Sequence, residues 1–458
     1  MTLADKRTIL ACMIGPLLDV GYALALAAGS PLWLYRMVRH GRYRRGVSER
    51  MGAAPVSYGF QPVIWVHGVS VGEINAARSL VAELHSQLPD YRVVVSSTTD
   101  TGFATARKHF APEHKVFHWP MDFTLSVARA LDRVRPELVV LMEGDIWPNF
   151  LAACNRRDIP AVVVNGRMSR DKGYPGYRKL GRLAGKLFNR LSAIGVQDES
   201  YAELFRSLGA DADKIHLTGM MKYDTADVAD RVSGQDELAA AMGLRQTDKL
   251  VVAGGTGPGE EKLLLERLDT LQRSVPEAVL AIVPRKPERF DEVARLIAQA
   301  GRSVVRRSQR PDGTAGDRSD DAVLLGDTMG ELRAFYALAE AVFVGRSLVP
   351  MGGSDMIEAA ALGKPTAFGP HTFNFPQADE LAANGCMRVA DADELIEQLC
   401  RWLSETASAR QAGRSAQRFV QSRQGATRRN VEMICRVLGR EPAVAPGAIA
   451  TERIPENR

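Results

Sequence analysis

Apolar positions along this chain come in short continuous runs, each followed by a polar, glycine-bearing turn and then by apolar residues at helical spacing. The pattern is clearest at Val63-Ile64-Trp65-Val66, which leads through His67-Gly68-Val69-Ser70-Val71-Gly72 into Glu73, Ala77, Leu80 and Leu84. An apolar run of this length predicts a strand buried on both faces, and the spacing after it predicts an amphipathic helix. The alternation continues through strands at 91–97, 138–142, 161–165 and 193–197, with helices from Phe103 and over about 124–133. A segment rich in Asp, Ala and Gly at 225–247 interrupts it. It resumes with strands at 250–253, 279–283, 323–325, 341–344 and 365–368, and helices fill about 378–437. Such alternation predicts two α/β halves, each a parallel sheet covered on both faces.

The first residues break this pattern. From Ile9 to Tyr35 the chain is almost wholly apolar, with Asp19 its only formal charge, and Arg36, Arg39, Arg42, Arg44, Arg45 and Arg50 come next. A run of this length with a basic flank predicts an uncleaved anchor, spanning or lying in one leaflet, with the remaining chain on the cytoplasmic side. The arginines set topology on one reading and meet an anionic lipid surface on the other. The domains expected are therefore an anchor and basic flank over 1–50, an α/β domain over 51–228, a second over 229–440, and a disordered tail over 441–458.

The 458 residues carry a formal charge of +5, with 45% hydrophobic and 25% charged positions, which suits a globular protein of two domains. The five cysteines form no CxxC pair and the eight histidines no HxH or HExxH arrangement, so neither a disulfide framework nor a metal site is expected. His109, His114 and His118 read as loosely clustered surface residues. No nucleic-acid partner is indicated, and no cofactor.

Open α/β sheets place their sites at the carboxyl ends of the strands. Glu73, Thr98, Glu143, Asn165, Arg167 and Ser169 all fall at such ends in the first half. Ser70-x-x-Glu73 has two readings, a capping box that closes the helix start or a carboxylate facing a ligand. In the second half, Gly254-Gly255-Thr256-Gly257-Pro258-Gly259 has neither P-loop nor dinucleotide spacing. It predicts a close backbone approach, such as a phosphate at the helix start. Residues 308–321 read as an exposed loop.

Taken in order, several motifs resemble those of the bacterial 3-deoxy-D-manno-octulosonic acid (Kdo) transferases. They are His67–Glu73, Glu143–Asn149, Asn165–Ser169, Gly219–Asp224, Pro284-Arg285, Asp327–Leu332 and Gly345–Glu358. The resemblance implies two Rossmann-like domains in the GT-B arrangement. It implies transfer of Kdo from CMP-Kdo to a lipid A precursor in lipopolysaccharide synthesis, at the cytoplasmic face of the inner membrane. It also implies that Glu73 is the general base and that Glu143 and Lys222 assist at the transition state. Pro284, Arg285, Met329, Gly330, Glu331, Asp355, Met356, Ile357 and Glu358 match the positions that hold CMP. The chain departs from the family pattern at Gly144, Asp145 and Ile146, at Lys286, at Ser354 and Asp355, and at Ala359. Asp355 adds a negative charge where a neutral amide is usual.

The chemistry fits these residue types. Transfer with inversion needs a base for the proton of the attacking hydroxyl. The helix start would lower the pKa of Glu73, and burial beneath a closing second domain would raise it. Lys222, Arg285 and helix N-termini would stabilise the departing phosphate without a metal.

Overall fold

The computed structural model describes residues 15–30, 35, 39, 46–56, 59–171, 173–311 and 316–441. The chain divides into two compact units, one of residues 1–225 and 424–458, the other of residues 226–423. In the first, β1 (Val63–Gly68), β2 (Arg92–Ser97), β3 (Lys115–His118), β4 (Leu138–Met142), β5 (Ala161–Gly166), β6 (Ala193–Val196) and β7 (Ile215–Leu217) form one sheet. All its pairings are parallel, in the order β3-β2-β1-β4-β5-β6-β7. Alternate β1 residues serve two cores: Val63 and Trp65 face one with Phe117, Trp119 and Phe150, while Ile64 and Val66 face another with Ile74 and Leu80.

The second unit repeats the plan. Its strands are β8 (Lys249–Thr256), β9 (Ala278–Pro284), β10 (Val304–Arg306), β11 (Val323–Leu325), β12 (Ala341–Val344), β13 (Thr366–Phe368) and β14 (Met387–Arg388). They lie in the order β10-β11-β9-β8-β12-β13-β14, again all parallel. Gly254 at the end of β8 packs so closely on Tyr336 that a Cβ would overlap its ring, and a Cβ on Gly345 would come within 2.6 Å of Thr256 Cα. Here the close approaches expected of the glycine loop are between protein segments.

Three expectations need correction. The last helix, Ala426–Val437, belongs to the first unit, although its place in the sequence put it in the second. Its Val431, Ile434 and Cys435 complete the core around Ile64 and Val66, and the Asp224 carboxylate accepts the amides of Gly425 and Thr427 at its start. His114 and His118 are buried, His118 Nδ1 lying 2.8 Å from Glu49. The segment 308–321 is not uniformly exposed: Arg318 is buried and pairs with Asp248 at 2.7 Å.

Residues 15–30 are helical, and among the described residues no helix is long and apolar enough to cross a membrane. Residues 9–14 and 31–34 of the expected anchor, Arg36, Arg42, Arg44 and Arg45, and the tail beyond 441 lie outside the described residues. Arg50 is buried and bonds Asp100 at 3.3 Å, so it does not serve the basic flank.

Candidate functional site

The strand order of the first sheet reverses at β1 and β4, and at such a switch point the loops after the two strands leave in opposite directions and open a crevice. Glu73 stands in the first turn of the helix Val71–Gln87 that comes after β1, and Glu143 stands one residue past β4. Gly68 lets the turn close, since its Cα faces the Glu73 side chain with room for no more than a tight Cβ contact of 3.2 Å. The capping box is present: the Ser70 side chain accepts the Glu73 amide at 3.4 Å. In return Glu73 Oε1 accepts the Ser70 hydroxyl at 2.7 Å and the Ser70 amide at 3.2 Å, and Oε2 accepts the Val69 amide at 2.8 Å.

Those three donors favour the charged form. Burial opposes them and prevails, because Glu73 is only 6% exposed. Desolvation, offset in part by the hydrogen bonds and aided by the charges of Glu143 and Asp145, pushes its pKa up to about 7. Capping and an unusual carboxylate therefore coexist in one residue.

Glu143 is held in the left-handed region at φ 60°, followed by Gly144 at φ 107°, and Asn165, the penultimate residue of β5, has φ 53°. Such backbone is costly for non-glycine residues and aims side chains away from the strand direction. Burial raises the Glu143 pKa, and Arg167 opposes this through an Nε–Oε2 contact of 2.6 Å. Glu73, Glu143, Asp145 and Arg167 thus form one electrostatic cluster. The segment bearing Lys222 reaches the same strand ends, since Asn165 Oδ1 accepts the Met221 amide at 3.0 Å. His67 Nδ1 lies 3.0 Å from the Ser96 hydroxyl and its ring stacks on Trp119. Burial lowers its pKa to about 3, so this imidazole is neutral.

The second sheet reverses at β8 and β12. Just beyond those ends the buried carboxylate of Glu260 accepts the amides of Gly257 at 2.9 Å, Ser347 at 2.8 Å, Leu348 at 3.0 Å and also Arg346. It takes up one amide, that of Gly257, that the glycine loop was expected to offer a phosphate. Arg285 stands just after β9, exposed, with its amide on Thr256 O at 3.1 Å. Arg285, Asp355 and Glu358 all act on the buried Tyr336 hydroxyl. That hydroxyl, Thr256 Oγ1 and Arg346 Nε are buried without a hydrogen-bond partner among the described residues. Tyr336 and Thr256 carried no signal in the sequence beyond a core aromatic and a strand end.

The other expected nucleotide residues are unlike one another. Met329 is exposed and Gly330 has φ 93°. Glu331 is paired with Arg307 at 2.9 Å. Pro284, Met356 and Ile357 are buried, so their side chains present nothing to a ligand. Ser354 bonds Gly255 O at 2.8 Å, and Asp355 Oδ1 accepts the Ile357 amide at 3.1 Å.

Residues 45–225 match a family model described as 3-deoxy-D-manno-octulosonic-acid transferase (kdotransferase). The chain is 33% identical over 435 residues to the 3-deoxy-D-manno-octulosonic acid transferase of Bordetella pertussis, covering 90% of this chain and 98% of the relative. It is 30% identical over 409 residues to that of Haemophilus influenzae, covering 87% and 92%. A UDP-N-acetylglucosamine 2-epimerase structure aligns with a TM-score of 0.56 over 84% of this chain and 99% of its own, at 15% identity, which is a likeness of GT-B-like fold alone. With identity of this degree along almost the whole length of a relative, the chain belongs to the 3-deoxy-D-manno-octulosonic acid transferases and is a glycosyltransferase.

Proposed function

We propose that this enzyme moves Kdo from CMP-Kdo to a lipid A precursor with inversion, and that Glu73 is the base. The observation that carries the reading is Glu73 itself: a fixed carboxylate at a sheet switch point, with its pKa near neutrality, where a general base works best. In this reading Glu73 Oε takes the proton as the acceptor hydroxyl attacks the anomeric carbon and the bond to the phosphate of CMP breaks. Glu143, ion-paired with Arg167, holds the negative field that keeps the proton on Glu73 after transfer. Lys222 meets charge developing at the transition state, beside the Asn165–Met221 tie that fixes its segment.

On the donor side Arg285 is the cation for the phosphate. Asp355 and Arg285 act with opposite sign on the same Tyr336 hydroxyl, so a positive charge accompanies the extra negative one there, which supports its being tolerated beside an anionic donor. The helix 15–30 turns Leu17, Val20 and Leu24 to solvent, which supports association with one leaflet of the inner membrane from the cytoplasmic face.

Thermal unfolding with CMP, UDP and ADP tests the donor, since a ligand of the native state alone raises the melting temperature. CMP is expected to stabilise most. A clear preference for UDP would move the enzyme to another activated sugar.

A further inference from the structure

We propose that Asp19 on the N-terminal helix is a positioning residue for the loop that carries Glu143 and Asp145, so that this helix is part of the catalytic apparatus as well as an attachment. The inference rests on the functional role proposed for the Glu73, Glu143 and Asp145 cluster. Asp19 is the one formal charge in the apolar run from Ile9 to Tyr35, and its carboxylate is turned inward. Its Oδ1 accepts the side-chain amide of Asn149 at 2.9 Å and the backbone amide of Thr124 at 3.0 Å.

Both partners stand at helix starts that lack a cap of their own. The helix Thr124–Val134 begins after Phe123 and the helix Pro148–Asn155 after Trp147, and neither preceding residue supplies a capping side chain. Carboxylates from elsewhere fill the vacant roles. Asp19 takes the Thr124 amide, and the buried Asp122 takes the amides of Asn149 at 3.1 Å and Phe150 at 2.8 Å. Asn149 closes the ring by giving its side-chain amide also to Asp122 O at 2.6 Å. Tyr22, one turn beyond Asp19, donates its hydroxyl to Asp122 at 3.1 Å and sets its ring against Phe123.

The loop in question runs from Glu143, tied to Val164 O at 2.9 Å, to Asn149. With one end on the sheet, the placement of the other end at Asn149 decides where Gly144–Trp147 can lie. Glu143 sits at φ 60°, where its carbonyl accepts the Arg167 amide at 3.1 Å and its carboxylate pairs with Arg167, and the hold at Asn149 fixes the far end of the same loop. A small shift of the loop would move the charges of Glu143 and Asp145 relative to Glu73.

The full-length enzyme with Asp19→Ala and Asp19→Asn tests this. Asparagine keeps one carbonyl oxygen, enough for both hydrogen bonds that Oδ1 accepts. Asp19→Ala should lower kcat by about ten- to a hundredfold with the KM for CMP-Kdo little changed, as a misplaced catalytic loop does. Amide hydrogen exchange at Asn149 and Phe150 should quicken by about tenfold, the effect of losing one supporting hydrogen bond. Asp19→Asn should restore both, and Asp19→Leu, which fills the space without an acceptor, stands in should the alanine variant fail to fold. Unchanged kcat and exchange in Asp19→Ala, or equal damage in Asp19→Asn, would overturn the proposal. Wild-type enzyme that transfers no Kdo would instead defeat the functional reading, and the exchange measurement would still decide the role of Asp19.

Discussion

Glu73 shows how two readings of one residue can both hold. A capping glutamate is normally solvated, and this one is buried with three donors aimed at it. Glu73→Gln keeps a single acceptor oxygen, so one of the Val69 or Ser70 donors loses its partner, at a cost of about 1 kcal/mol. Turnover should fall by roughly 10²–10⁴-fold, as for removal of a positioned base. A variant that transfers sugar at the wild-type rate would reduce Glu73 to a cap and make Glu143 or Asp145 the carboxylate to test. The pH dependence has a definite sign. The Glu73 pKa of about 7 lies above the ordinary 4.5, so the fold favours the protonated form. Its contribution to stability is full below about pH 4 and is lost as pH rises through about 7, amounting to roughly 3 kcal/mol at most. Glu73→Gln should therefore be less stable than wild type in acid and gain on it as pH rises, while wild-type activity rises through an apparent pKa near 7. Unfolding curves and transfer rates over about pH 5 to 9 check both trends.

At the scale of elements, the two sheets owe their site geometry to the turns and helix starts just past the strand ends. Glu260 is the clearest case, a fully buried carboxylate whose oxygens accept four backbone amides from two glycine-bearing loops. Burial raises its pKa even against those four donors. Glu260→Ala should cost about 3 kcal/mol or more, since several buried amides lose their only partner. Urea unfolding monitored on the second unit should show the loss, and a midpoint equal to wild type would mean that water replaces the carboxylate. The same scale explains which strands the hydrophobic pattern missed. β3, β7, β10 and β14 are the outer strands of the two sheets, two to four residues long. An edge strand is covered on fewer sides, so it needs no continuous apolar run.

At the scale of the whole chain, the helix 15–30 divides its surface. Asp19 and Tyr22 face the first unit, and Leu17, Val20 and Leu24 are 67%, 58% and 67% exposed. Leucines left in water on one face cost about 1.5–3 kcal/mol each relative to burial, which favours a lipid surface. Leu17→Asp with Leu24→Asp should weaken co-sedimentation with anionic vesicles by at least about tenfold, while leaving CMP binding unchanged. Equal sedimentation of variant and wild type would assign attachment to other residues. Neutralising Arg39 with its neighbours at 36, 42, 44 and 45 should weaken the salt-sensitive part of the binding, since exposed charges are screened.

The sequence by itself determined the alternation of strands and helices, the two α/β halves, the strand ends that carry Glu73, Glu143 and Arg285, and the family. Each of these is written in local spacing or in an ordered set of short motifs, and neither needs distant contacts to be read. Tertiary structure alone decided the rest. It brought the helix Ala426–Val437 back to the first unit, where its apolar face packs into the core around Ile64 and Val66. It set the pKa of Glu73 near 7 through the residues that bury it. It gave the glycine loop an internal carboxylate at Glu260, and it joined Asp19 to Asn149 across 130 positions of sequence. Burial, charge neighbours and caps supplied from distant segments depend on which residues meet in space, and spacing along the chain does not record that.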